Sequence, residues 1–331
     1  MSQSLPGLRP RLPPRVPLGQ FPTPLQHLAR LSKQLQGPQI YVKRDDQTGL
    51  ASGGNKTRKL EFILAEALAQ GCDHLVTLGG PQSNHCRQTA AAAAALGLEC
   101  SVVLRGDPPR QRLGNLLLDE LLGAHVHWAG SRAREAVAQE VVELLRASGR
   151  RPYFVPLGGS TGLGALGYVV AMDEALTQLA EWQLDIDVMV VASSSAGTQA
   201  GLVLGAALNA YPGKVLGISI DAPASELANT VTRIALESAR LLGPEAAAVS
   251  PRVEVNADYL GGGYAVVGAL ERDAIRTVAQ TEGLLLDPVY TGRAFGGLMD
   301  LIRQGVIGRG QRVLFWHTGG AAALSAFTED L

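Results

Sequence analysis

HLVTLGGPQSNHCRQTAAAAAALGLECSVVL, residues 74–104, reads as strand, turn, helix and strand. The short apolar run His74 to Leu78 ends at Gly79-Gly80-Pro81. An alanine-rich helical stretch follows from Ser83 to Leu96, and Ser101 to Leu104 is apolar again. The alternation continues with a helix over Leu113 to Leu122, a strand over His125 to Trp128, a helix over Arg132 to Ala147 and a strand over Tyr153 to Leu157. The second half repeats it: strand Asp187 to Val191, helix Thr198 to Leu208, strand Val215 to Ile220 and a late buried strand, Arg312 to Trp316. Strands separated by helices of this length indicate βαβ units, so the fold class expected is α/β with open twisted parallel sheets.

Upstream, Arg58 to Leu68 has apolar residues at helical spacing, and Ile40 to Asp46 is strand-like. The glycine-rich turn from Leu157 to Thr161 marks a seam. It divides the chain into a small lobe, 53–159, and a large lobe, 1–52 plus 160–331, with a cleft between them for a ligand.

The bulk numbers exclude several classes. With 331 residues, 46% hydrophobic and 18% charged, the chain has ample core. Lys and Arg number 29 against 30 Asp and Glu, which leaves no excess for tracking phosphates, so no nucleic-acid partner is expected. Met1 to Pro24 is rich in Pro and Arg and lacks an apolar core, so neither signal peptide nor membrane anchor is read there. No stretch has the uncharged apolar length to span a bilayer; the three cysteines, odd in number and well spaced, are what point to a cytoplasmic protein. Cys72, Cys86 and Cys100 read as reduced thiols without zinc-site spacing. His125 and His127 share one face of a strand; no metal is expected.

Chemistry concentrates in a few glycine-bounded turns. Only five residues are lysine, and Lys56 sits in Gly53-Gly54-Asn55-Lys56-Thr57-Arg58-Lys59-Leu60-Glu61, where a turn runs into a helix. A helix N-terminus disfavours a protonated amine, and Arg58 and Lys59 are expected to push Lys56 further toward its neutral, nucleophilic form. The plain alternative is a solvated lysine. Gln82-Ser83-Asn84-His85 opens a helix after a strand, suited to capping or to holding a carboxylate. Ala192 to Gly201 joins strand to helix with small residues and hydroxyls, the makings of a phosphate cup or of a serine-rich cap. Tyr264 and Tyr290, in Gly261-Gly262-Gly263-Tyr264 and Asp287-Pro288-Val289-Tyr290-Thr291, are candidate proton-moving residues or ordinary edge-of-core ones. Gly162-Leu163-Gly164-Ala165-Leu166-Gly167 matches a dinucleotide fingerprint, but no acid ends a second strand about twenty residues on. These glycines are read as turn and helix packing, and a dinucleotide-dependent oxidoreductase is the distant alternative.

Taken in order, the stretches at Lys56, Ser83, Thr198, Tyr290 and His317-Thr318-Gly319-Gly320 resemble the D-cysteine desulfhydrase and 1-aminocyclopropane-1-carboxylate (ACC) deaminase family. These are pyridoxal-phosphate enzymes of the tryptophan synthase β-like fold, and the resemblance runs from about Phe21 to the C-terminus. It implies that Lys56 forms the Schiff base with pyridoxal 5'-phosphate and that Asn84 contacts the cofactor's phenolic oxygen. Ser194, Ser195, Ala196, Gly197 and Thr198 would hold the phosphate, with Thr318 also on the cofactor. Ser83, Asn84, His85, Tyr264, Tyr290 and Thr291 would face a small amino-acid substrate. Lys56, Ser83 and Tyr290, in that order, are candidates for taking the Cα proton. A homodimer is implied as well.

Thr291 and Thr318 stand where ACC deaminases of the family carry Glu and Leu. Neutral hydroxyls imply a weaker electron sink, and therefore β-elimination of a good leaving group: D-cysteine to pyruvate, sulfide and ammonia. ACC deaminase and L-cysteate sulfo-lyase activities are the alternatives on this scaffold. The chain departs from the family pattern at Pro81, at Cys86 and at Ala265-Val266-Val267 after Tyr264.

Overall fold

The computed structural model describes residues 12–331, and within them ten strands form two sheets. The smaller is wholly parallel: β3 (His74–Gly79), β4 (Glu99–Leu104), β5 (His125–Trp128) and β6 (Pro152–Phe154), in the order β5-β4-β3-β6. The larger has β1 (Leu25–His27), β2 (Gln39–Lys43), β7 (Val188–Ser193), β8 (Lys214–Ser219), β9 (Glu254–Asn256) and β10 (Arg312–Trp316) in the order β1-β2-β10-β7-β8-β9. It is parallel except for β1, which runs antiparallel to β2 at one edge. The helices are α1 (Ala29–Leu35), α2 (Lys56–Ala69), α3 (Asn84–Leu96), α4 (Gly114–Leu121), α5 (Arg134–Ala147), α6 (Gly162–Glu181), α7 (Gly197–Leu208), α8 (Ala224–Leu242), α9 (Pro244–Ala247), α10 (Ala269–Glu282) and α11 (Thr291–Arg303). None is long and apolar enough to cross a membrane.

Residues 74–104 fold as β3, α3 and β4, with His74 paired to Glu99 and Gly79 to Leu104. The central strands are covered on both faces, which is why their middles read as apolar runs, whereas the edge strand β5 is partly exposed. Alternate side chains serve opposite faces. In the large sheet Met189, Val191, Leu314 and Trp316 pack with α6, α7 and α8, whereas Val188, Val190, Val313 and Phe315 pack with α1, α10 and α11. Burying each such side chain is worth about 1.5–3 kcal/mol, so the stacked layers dominate the stability.

The expected strand Tyr153 to Leu157 is cut short. Pro156 has no N–H to continue a ladder, and Leu157–Gly159 instead makes a 3₁₀ turn with Gly158 at φ 68. Edge strands β1 and β9, three residues each, are too short to show a periodicity.

α2 lies between the sheets. Its Leu60, Ile63, Leu64 and Ala67 join the core of the small sheet and Phe62 that of the large one. α6 packs closely on it: a Cβ at Gly167 would come within 2.2 Å of the Arg58 carbonyl oxygen, and one at Gly164 within 2.3 Å of Gly159 O. Thr161 caps the start of α6 by accepting from Gly164 N. The Gly162–Gly167 run therefore serves helix packing, and no dinucleotide reading is needed. Beneath α2, Arg58 pairs with Asp45 and Glu174 at 2.9 Å, Lys43 pairs with Glu174, and Tyr168 and the Trp316 indole donate to Asp45. Burial alone would raise the Asp45 pKa, but the Arg58 guanidinium outweighs it and holds the carboxyl at about 2.

Candidate active site

Lys56 is the first residue of α2. The turn before it, Ala51-Ser52-Gly53-Gly54, has positive φ at all four residues. A Cβ at Gly53 would fall 2.0 Å from Asp46 O, and one at Gly319 2.8 Å from Gly54 Cα, so two glycine segments meet here at van der Waals contact. Lys56 Nζ donates to Asn55 Oδ1 at 2.9 Å and lies 5.9 Å from the centre of the Tyr290 ring. Burial brings its pKa down to about 8; Asp287 opposes the shift and Arg87 adds to it. The expected contributors are different residues. Arg58 is turned away into its carboxylate pairs, and Lys59 is itself a buried amine, held well below the usual lysine range by burial and then by Lys56.

The cup after β7 is built as the sequence suggests, with additions from elsewhere. Ala196 takes φ 68 and ψ −31 to turn the chain into α7, and the N–H groups of Ala196 and Thr198 meet no acceptor among the described residues. Thr198 Oγ1 accepts from Asn55 Nδ2 at 2.9 Å, which ties the cup to the residue before Lys56. Ser195 accepts from Ser160 at 2.8 Å, and Ser194 donates to Asp221 at 2.8 Å. Gly197 contributes room and not a donor, because its N–H is already spent on Ser195 O and Ser160 Oγ; a Cβ there would sit 2.9 Å from Lys59 Nζ. Among the described residues Lys59 Nζ itself reaches only Gly158 O at 3.1 Å and Ser160 Oγ at 3.2 Å.

Across the cleft Ser83 caps α3, its Oγ accepting from Cys86 N at 3.2 Å, while the Asn84 and His85 N–H groups meet no acceptor among the described residues. His85 is buried, which keeps its imidazole neutral, and its Nε2 lies 2.8 Å from Thr77 Oγ1. Gln82 faces away: its amide is taken up by Leu113 O and Asn115 N at the start of α4.

Tyr264, 42% exposed at the mouth of the cleft, and the more enclosed Tyr290 share a 2.7 Å hydroxyl–hydroxyl hydrogen bond, and partial desolvation raises both phenol pKa values. Arg293 holds the Tyr264 turn, donating to Gly263 O and Val266 O while paired with buried Glu271 at 2.6 Å. Thr291 corrects an expectation. It is fully buried and does not line the cleft, because Asp287 accepts from its N and its Oγ1, both at 2.7 Å, to cap the start of α11. Asp287 also accepts from Tyr290 N. Thr318 does line the cleft, and its hydroxyl meets no partner among the described residues.

Lys56, Asn84, Ser194, Ser195, Ala196, Thr198, Tyr290 and Thr318 thus enclose the inner end of one cleft. Its outer part, a cavity of about 540 Å³, brings Ser83, His85 and Tyr264 to the same lysine. Asp221, Arg105 and Arg134 also line it, and no local pattern marks those three in the sequence. Asn55 and Lys59 stand inside the stretch that drew attention to Lys56, but their part depends on contacts with Thr198 and Ser160, residues over a hundred positions away. A separate groove against β8 and β9 has an apolar lining around one ion pair, Lys214–Glu254, and gathers no comparable chemistry.

Comparison with known proteins agrees with this geometry. A family profile described as pyridoxal-phosphate dependent enzyme matches residues 16–319. A 1-aminocyclopropane-1-carboxylate deaminase of Burkholderia cenocepacia is 41% identical over 325 residues, covering 95% of this chain and 96% of its own. A Pyrococcus abyssi protein that carries the same name provisionally is 42% identical over 321 residues, 96% of this chain and 95% of its own. A crystal structure titled as an ACC deaminase homologue superposes with a TM-score of 0.90 at 38% identity, covering 99% of this chain and 98% of that one. Fold, sequence and the enclosed lysine agree, and the chain belongs to the pyridoxal-phosphate dependent enzyme family.

Proposed function

We propose that the protein is a pyridoxal-phosphate-dependent lyase of the ACC deaminase type, releasing ammonia from a small α-amino acid. One observation carries the reading: an amine brought to about 8 lies between a cup of unpaired N–H groups and a helix start with unpaired N–H groups of its own. The donor set fits the cofactor. Lys59 is a buried amine with only neutral partners, suited to a phosphate, and a side chain at Gly197 would fill the space in front of it. Lys59, Ser195, Thr198 and the Ala196 N–H would hold the phosphate, Asn84 would meet the phenolic oxygen, and Lys56 would be the covalent anchor.

Bound there, pyridoxal phosphate supplies an electron sink for the pair left at Cα when a bond breaks. The chain supplies the rest. The Asn84 and His85 N–H groups at the start of α3 bind the substrate carboxylate, and Ser83 stands beside them. Lys56 Nζ, neutral in an appreciable fraction at pH 7–8, takes or returns a proton at the substrate's α- or β-carbon. The Tyr264–Tyr290 pair holds a proton on a neutral phenol, since burial disfavours the phenolate of each.

The name carried by the relatives, 1-aminocyclopropane-1-carboxylate deaminase, favours ACC as substrate. A second reading, β-elimination from D-cysteine, is favoured by Thr318, a neutral hydroxyl facing the inner end of the cleft. A neutral partner leaves the ring a weaker sink, sufficient to expel thiolate. Thr291, enclosed by Asp287, lends that reading nothing. The test measures 2-oxobutyrate from ACC, and pyruvate with sulfide from D-cysteine, on the cofactor-loaded enzyme. Faster 2-oxobutyrate release is the expected result, and faster sulfide release would establish the second reading. A protein that takes up no pyridoxal phosphate would end both.

A further inference from the structure

Asn84 reaches the cleft beside Lys56 with a side-chain amide, and an amide can present either a donor or an acceptor. The choice is made outside the cleft. A guanidinium has N–H donors and no acceptor, so Arg87 Nε, 2.8 Å from the Asn115 side chain, faces Asn115 Oδ1. Asn115 Nδ2 is thereby left to donate, and does so to Gln82 O at 2.9 Å and to Asn84 Oδ1 at 2.8 Å. With its oxygen taken, Asn84 turns Nδ2 toward the cleft, where no protein acceptor meets it among the described residues. Every link is buried: Arg87 and Asn115 are 0% exposed and Asn84 8%. Gly114 permits the approach, since a Cβ at its φ of +58 would come 2.3 Å from Gln82 Oε1. The same guanidinium grips the left-handed turn that delivers Lys56, donating to Ala51 O and, at 3.0 Å, to Gly53 O.

We propose that Arg87 and Asn115 are positioning residues that lock Asn84 as a hydrogen-bond donor toward an anionic oxygen of the ligand held at Lys56. Resting on the reading above, that oxygen is the phenolic oxygen of pyridoxal phosphate. A donor stabilises it in its deprotonated form, whereas an amide turned the other way would set one acceptor against another.

Asn115→Asp tests this, because the aspartate still accepts from Arg87 but cannot donate, which frees Asn84 to turn its oxygen to the cleft. Cofactor affinity by equilibrium dialysis is expected to fall about tenfold. The bound cofactor's absorbance should move from the visible toward the near-ultraviolet band, while the thermal midpoint holds. In an Asn84→Ala background the same substitution should change neither affinity nor spectrum. Unchanged affinity and spectrum in Asn115→Asp, or an equal change with Asn84 absent, would overturn the proposal. If the aspartate variant does not fold, Asn115→Ala replaces it in the same cycle. Failure of the unsubstituted protein to bind the cofactor would instead remove the reading of the site, and this inference with it.

Discussion

Lys56 is chemically distinct because its half-buried amine is largely enclosed by protein groups at the inner end of the cleft, and the neighbouring cations expected to matter are engaged elsewhere. Arg58 is spent on Asp45 and Glu174, leaving burial, and after it the balance between Asp287 and Arg87, to set a pKa near 8. The neutral amine is the nucleophile, so attachment of pyridoxal phosphate to the cofactor-free protein should quicken about tenfold per pH unit up to about 8 and level off above it. Stopped-flow absorbance gives the profile, and a rate still climbing past pH 10 would mean an ordinary lysine. The residue scale is also where the sequence was least complete. A lysine at a helix start is visible in the chain; that Lys59 is a buried amine at the cup and Thr291 part of a cap is not.

Single helix faces organise the site. On α3, Arg87 and Gln88 stand one turn on from Asn84, and all three meet the segment around Lys56: Asn84 in the cleft, Arg87 on the turn before it, and Gln88 accepting from Thr57 N at 2.9 Å. Just before α11, Tyr290 enters the cleft because Asp287 holds the preceding turn, and Arg293 in the first turn of the helix fastens the Tyr264 segment. Arg293→Met would strand Glu271 as a buried unpaired charge and release that segment. The expected cost is about 3–5 kcal/mol of stability, read by urea denaturation. KM should rise while cofactor affinity holds, since Tyr264 lines the outer cavity and not the inner end. An unaltered KM would detach Arg293 from substrate binding.

At the scale of the molecule, two sheets share one helix. α2 gives apolar side chains to both cores, and its Arg58 enters a charged cluster made by β2, the 3₁₀ turn after it, α6 and β10, through Lys43, Asp45, Glu174 and Trp316. Arg58→Met should therefore destabilise the whole chain by about 3–5 kcal/mol, measured as a lowered denaturation midpoint, because it leaves Asp45 and Glu174 short of their main counter-charge. A midpoint within experimental error of the unsubstituted protein would show the cluster to be dispensable. Much of this architecture is legible in the chain. Parallel strands buried on both faces must be apolar throughout and must be joined by helices, so residues 74–104 and their repeats determine an α/β fold before any contact is known. Turns of small residues that lead into helices likewise announce Lys56, Ser83 and the cup, since small residues permit such turns most readily. The tertiary structure alone decided which polar groups are buried and which way they face: Arg87 inward, Thr291 into a cap, Lys59 against the cup and Asn84 turned as a donor. Those outcomes depend on pairings between residues far apart in the chain and on the cost of burying an unpaired polar group, and neither leaves a local pattern to read.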